Sequence, residues 1–182
     1  LKLEGIIRDE QPRFNPQQLS MILWAFGKVG HPVGIALLRS ICGYAETVFY
    51  QSLSSSASHA GKCNAQTLAN FLHGLACLPN RSAKQVHNLD ANLSKICELT
   101  TMIAAELTPR YVSTILWSLA SLEFSPPQSF LVNLRCVLSE KQNLIEHQHV
   151  AMIMWAMGKL MLDPGPNVLS MLCDNASILV GS

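Results

Sequence analysis

The stretch FNPQQLSMILWAFGKVG, residues 14–30, decides how the rest of the chain is read. Phe14 is followed by Asn15 and Pro16. Asn is a residue whose side-chain oxygen accepts from the free N–H groups of a first helical turn. Proline at the next position needs no N–H of its own there. Gln18, three residues after Asn15, permits the reciprocal bond of a capping box, and Phe14 suits a hydrophobic staple. Beyond the cap, Leu19, Ile22, Leu23, Phe26 and Val29 fall on one stripe at a period of 3.6. The phrase predicts an amphipathic helix over about 16–30, with Trp24 at its middle.

The same helix recurs. MIMWAMGKL at 152–160 repeats MILWAFGKV at 21–29 with an offset of 131 residues. TILWSLASL at 114–122 is a third copy at offset 93, and NFLHGLACL at 70–78 a weaker one at offset 49, with His73 in place of Trp. Successive spacings are therefore 49, 44 and 38 residues. The shortest is taken as the unit, and the longer two as units with insertions over 52–58 and 79–87. The openings recur as well. Asn64 and Thr108 stand where Asn15 does, Pro109 repeats Pro16, and Ile145-Glu-His-Gln148 is the most degenerate version. These four "A" helices are expected at about 16–30, 65–78, 109–122 and 147–161. First-copy position 27 reads Gly27, Ala76, Ala120 and Gly158, and position 25 reads Ala25, Gly74, Ser118 and Ala156. Small residues there let neighbouring helices approach closely.

A second, "B" helix follows each A helix after a Pro- or Gly-marked turn: 32–49 with Leu37, Leu38, Ile41 and Tyr44 apolar; 89–105 with Leu93, Ile96 and Leu99; 129–144 with Phe130, Leu131, Leu134 and Leu138; and 167–179. Residues 3–9 read as the end of an earlier B helix. No segment alternates with the period of a strand. The expected fold is all-α: an α-solenoid superhelix of tandem helix–turn–helix repeats of about 38 residues with insertions, a single domain over 1–182. The chain opens at Leu1 without Met and reads as a fragment of a longer array or a processed product.

Composition bounds the function. The 182 residues are 49% hydrophobic and 14% charged, with mean hydropathy +0.23, which suits helices buried on more than one side. The apolar runs are too short for a transmembrane span, so no membrane partner is expected. A net charge of +1 carries none of the basic excess of a typical nucleic-acid binder, so any RNA contact must use local patches, stacking or polar readout. The six cysteines form no CxxC and lie mostly in apolar helical patterns, which reads as reduced, buried thiols. His147 and His149 are two apart, a poor spacing for one metal on a helix. No catalytic constellation and no Gly-rich phosphate loop can be placed. The expectation is no enzyme, no metal, no cofactor and no small-molecule substrate.

The phrase at 14–30, with its echo at 107–122 and from Val150 on, resembles the octotricopeptide repeat, and the 38-residue spacing agrees with that family. The resemblance implies an organellar RNA-binding protein, mitochondrial or alternatively of the chloroplast, with roughly one base met per repeat. It implies that helix A lines the concave face. It also implies a choice between a free factor for transcript maturation, stability or translation and a structural subunit of a divergent mitochondrial ribosome. Near-neutral charge and few copies favour the subunit, which holds single-stranded rRNA and has ribosomal proteins as further partners. On this reading RNA meets polar residues near each A-helix N-terminus: Gln17, Gln66, Arg110 and Gln148 at one position, Gln18, Thr67, Tyr111 and His149 at the next, then Asn70 and Thr114. Amide, hydroxyl, guanidinium and aromatic groups pair with or stack on splayed bases. Lys28 and Lys159 at the far ends suit backbone phosphates. Residues such as Gln17 also suit a purely capping role. Trp24, Trp117 and Trp155, set among Leu and Met, read as packing residues between repeats. A protein-binding scaffold of the HEAT or armadillo kind is the other class that the apolar content and the charge allow.

Overall fold

The computed structural model describes residues 5, 14–54, 62–79, 86 and 88–180, the side chains of 178–180 excepted. The helix expected over 3–9 lies outside the described residues apart from Gly5, as do most of the two expected insertions. Among the described residues the chain is all-helical. Eight α-helices run in the order α1 (Pro16–Val29), α2 (Ile35–Ser54), α3 (Ala65–Ala76), α4 (Leu89–Met102), α5 (Pro109–Ser121), α6 (Gln128–Glu140), α7 (His147–Leu160) and α8 (Pro166–Val180). Each expected A helix is present to within two residues at either end. Two B helices stop short of their expected ends, because Ala104–Glu106 and Gln142–Leu144 tighten into 3-10 turns.

Caps explain the starts. Asn15 Oδ1 accepts from the Gln18 N–H at 2.9 Å, and Gln18 Oε1 accepts from the Asn15 N–H at 3.0 Å. Asn64 Oδ1 accepts from the Thr67 N–H at 2.9 Å. Thr108 occupies the cap position of α5 without a side-chain cap bond; there Pro109 alone marks the start. The degenerate fourth opening still closes on itself, with His149 Nδ1 accepting from the Glu146 N–H at 3.1 Å. The ends repeat too. The residue after α1 and its register equivalents after α5 and α7 are left-handed: Gly30 (φ 67°), Glu123 (φ 59°) and Met161 (φ 52°). The second copy has Pro79 there, whose ring fixes φ near −65° and forbids that turn.

Packing follows parity. α1 lies on α3, α3 on α5 and α5 on α7, while α2 meets α4, α4 meets α6 and α6 meets α8. The A helices thus form one row and the B helices another, and a continuous apolar core runs between them from Leu19 to Leu172. Leu23, Leu72 and Leu116, equivalent positions of the first three A helices, are each fully buried. Burying one such side chain is worth about 1.5–3 kcal/mol. The A row is close-set because of its small residues. A Cβ on Gly74 would stand 2.6 Å from the Leu23 carbonyl carbon and the Trp24 nitrogen, and one on Gly27 would stand 2.8 Å from Cys77 Cβ. Successive units are also pinned by polar contacts, with Lys141 Nζ donating to the carbonyls of Ala105 (2.8 Å) and Leu107 (2.5 Å) and Asn92 Nδ2 donating to Glu46.

Two expectations are corrected. Val29 does not join the buried stripe; it is 80% exposed. At 100° per residue it falls in line with Ile22, on a flank of α1 that no other helix covers among the described residues. The cysteines are all free, and Cys42, Cys63 and Cys97 are buried as expected, but Cys136 and Cys173 are exposed. Burial, reinforced by Glu46, Glu106 and Glu98 respectively, pushes each of the three buried thiols up to about 12.

Candidate nucleic-acid interface

Positions 17, 21, 24 and 28 of α1 lie at i, i+4, i+7 and i+11, one line along a helix. Because the A helices pack side by side, the four lines form a grid. The first rank is Gln17, Gln66, Arg110 and Gln148, the second Met21, Asn70, Thr114 and Met152. The third is Trp24, His73, Trp117 and Trp155, and the fourth Lys28, Cys77, Ser121 and Lys159. None of the sixteen is buried.

The third rank corrects the sequence reading of the tryptophans in part: they pack between repeats, but at the surface and not in the core. Trp24 is 43% and Trp155 45% exposed. The leucines at position 23 enter the core, and the next residue, turned by 100°, lies at its margin. The rings nonetheless touch across repeats. His73 lies tilted on Trp117 at 5.3 Å between centroids, and Trp117 stacks on Trp155 at 6.2 Å with 29° between planes. Lys28 Nζ sits 5.7 Å from the Trp24 ring centroid and Lys159 Nζ 5.0 Å from that of Trp155. The result is a surface band of π-faces with a cation at each end.

His73 is the middle of this band. Its Nε2 is 3.5 Å from Cys77 Sγ, and its Nδ1 has no hydrogen-bond partner. Partial burial, helped by the positive charge of Lys28, holds its pKa below the ordinary value. The ring is therefore neutral at pH 7 and adds no charge.

Two grooves flank the band. The larger, about 790 Å³, is lined by eight of the expected residues: Lys28, Gln66, Asn70, Arg110, Tyr111, Thr114, Gln148 and His149. Glu146 also lines it, so Lys28 and Arg110 act beside one carboxylate. The smaller, about 310 Å³, lies between α1 and α3 with Gln17, Gln66, Thr67, Asn70 and the Trp24 ring in its walls. Gln18 and Lys159 line neither of these two.

The expected residues separate by what their polar atoms already do. Those at position 18 are engaged. Gln18 and His149 close capping bonds, and Thr67, 3% exposed, donates both its N–H and its Oγ1 to Asn64 Oδ1. Tyr111 is half-buried against the core. Thr114 Oγ1 donates to the Arg110 carbonyl at 2.9 Å. Gln17, Gln66, Arg110 and Gln148 are exposed. The sequence reading missed the aromatic rank. The signal was present, since Trp24 shares its helical line with Gln17 and Lys28.

No family model matches this sequence, and none of the curated proteins compared with it is similar enough to count as a relative. No three or more His, Cys, Asp or Glu among the described residues are grouped to hold a metal, and no helix there is long and apolar enough to cross a membrane.

Proposed function

We propose that this chain binds single-stranded RNA along the exposed grid of its A helices, as an octotricopeptide-like α-solenoid of an organelle. The observation that carries the reading is the aromatic rank, four π-rings at one register on four adjacent helices, with exposed amides and a guanidinium on one side and lysines at its ends. Stacking on such platforms is sequence-tolerant, and the local cations Lys28, Arg110 and Lys159 supply the positive charge that tracks the backbone. That answers the difficulty raised by a net charge of +1. Bases lie on the indoles, Gln17, Gln66, Asn70 and Gln148 meet base edges, and Lys28, Arg110 and Lys159 meet phosphates. The slot between α1 and α3 takes a single base on Trp24. The weak net charge favours a mitochondrial ribosomal subunit holding rRNA, which gains affinity from neighbouring ribosomal proteins, over a free transcript factor.

The test is fluorescence anisotropy with a labelled 12-nucleotide single strand and the matching duplex. The single strand binds and the duplex does not. Trp117→Ala or Trp155→Ala weakens binding about 5- to 150-fold, the equivalent of about 1–3 kcal/mol per stacked base. Three phosphate contacts give a log–log salt slope of about −2. Failure to bind in low salt, or unchanged binding by both Trp variants, refutes the proposal. In cells, crosslinking to discrete rRNA positions supports the ribosomal reading, a single transcript shifts it to a free factor, and no RNA leaves a protein scaffold.

A further inference from the structure

Glu146 and His149 face each other across the first turn of α7. The Glu146 N–H donates to His149 Nδ1 at 3.1 Å. A ring nitrogen that accepts carries no hydrogen, so the imidazole hydrogen is on Nε2. His149 is only 8% exposed, lines the larger groove, and makes no hydrogen bond through Nε2 among the described residues. Glu146 lines the same groove, is exposed, and joins no ion pair among the described residues. The start of α7 therefore offers the groove an N–H donor beside a carboxylate, whose lone pairs exceed what one cap bond uses.

A carboxylate repels the phosphates of any strand in that groove. Capping does not call for it, since Asn, Asp, Ser and Thr are the favoured cap residues. The three equivalent openings have uncharged Asn15, Asn64 and Thr108. Asn15 and Gln18 close on each other, and Asn64 Oδ1 takes two donors from Thr67. A base edge rich in N–H groups would offset the repulsion at α7. In a single strand the Watson–Crick edges are open to side chains. Guanine presents there one acceptor, O6, followed by two donors, N1–H and the N2 amine. Adenine and cytosine set a ring-nitrogen lone pair beside their one amine, and uracil sets a carbonyl on each side of its N–H. Each of those three turns a lone pair towards the carboxylate. The rings of Tyr111 and His73 also line the groove and suit the face of a base, and Arg110 stands there for its phosphate.

We propose that this groove selects guanine: the Glu146 carboxylate accepts from N1–H and the N2 amine, and His149 Nε2–H donates to O6. The selectivity rests on the RNA-binding reading above and gives one groove a preferred base.

Fluorescence anisotropy tests it, with a labelled 12-nucleotide oligouridine and the same strand carrying one central guanosine, inosine, adenosine or cytidine. The guanosine strand binds about 5- to 150-fold tighter than oligouridine, the range of one good bidentate base contact. Adenosine and cytidine give no such gain. Inosine, which lacks the N2 amine, gives less than guanosine. Glu146→Gln abolishes the guanosine gain without weakening oligouridine binding, because repulsion is lost along with readout. Circular dichroism checks that this variant is folded, and the inosine comparison needs no variant. Four results overturn the proposal and leave RNA binding standing: guanosine no tighter than uridine, inosine as tight as guanosine, a guanosine gain that survives Glu146→Gln, or an equal loss on every strand in that variant, which would mark a cap alone. Binding of no strand overturns both readings.

Discussion

Adding one methyl group at Gly74 is expected to force α1 and α3 apart. The new Cβ would stand 2.6 Å from two backbone atoms of α1 and 2.9 Å from Leu23 Cβ. Ordinary carbon contacts begin near 3.5 Å, so the helices must separate by about 0.9 Å. No side chain can swing away, because the obstacle is backbone. Overpacking of this kind costs about 1–3 kcal/mol, and the loosened contacts of Leu23, Leu72 and Phe71 fall within that figure. Against it stands the helix preference of Ala over Gly, about 1 kcal/mol. Because the obstacle is backbone, the steric cost falls in the upper part of that range, about 2–3 kcal/mol, and Gly74→Ala lowers net stability by about 1–2 kcal/mol. Gly43→Ala is the matched control. It lies inside α2 with nothing within 4 Å of its Cβ position, so only the helix preference acts and stability rises by about 0.5–1 kcal/mol. Urea unfolding read by circular dichroism gives both numbers, and amide exchange in α1 localises the effect. A Gly74→Ala protein as stable as the parent would refute the close approach of α1 and α3. Because the smaller groove is walled by both helices, the same change should weaken RNA binding if that slot holds a base.

Two further outcomes follow from caps and thiols. Asn15→Ala and Asn64→Ala each lower urea stability by about 1 kcal/mol, while Thr108→Ala, which removes no cap bond, lowers it by a few tenths. The folded state holds the thiol protons of Cys42, Cys63 and Cys97 up to about pH 12, whereas the unfolded chain releases them near 9.0. Their contribution is complete below pH 9 and is lost as pH rises from 9 towards 12. The fall is about 1.4 kcal/mol per pH unit for each thiol. Urea midpoints at pH 8, 9 and 10 should drop steeply, and less steeply for Cys97→Ala; equal slopes would contradict the burial of that thiol.

Local chemistry made the helices legible. Asn15, Pro16, Asn64 and Pro109 act within one turn of their own position, so the A-helix boundaries could be read to within two residues. The buried faces of α4 and α6 were equally clear, since Leu93, Ile96, Phe130 and Leu134 face the core by periodicity alone. Coverage was not legible. Leu23 and Met154 share a register, yet one is fully buried and the other 42% exposed, because α1 has a following A helix beside it and α7 has none among the described residues. Trp24 and Trp155 were misread for a related reason. Hydropathy assigns an indole to the core, but an angle of 100° from Leu23 assigns it to the surface, and only the packed row shows which applies. The same locality hid the double use of position 18, where Thr67 and His149 are polar enough to suggest readout and sit where the cap needs them.

The left-handed residue that closes α1, α5 and α7 bears on how such an array can change. Three unlike side chains, Gly30, Glu123 and Met161, hold one backbone handedness. Only glycine does so freely; each of the others carries about 1–2 kcal/mol of local strain. In a globular core of one unit that sum would threaten folding. Here every unit leans on its neighbours, so strain in one is underwritten by contacts in the next. Drift at these corners is pooled along the array. Glu123→Gly and Met161→Gly therefore mark unused reserve, while Pro79 marks the limit beyond which a corner must take another route.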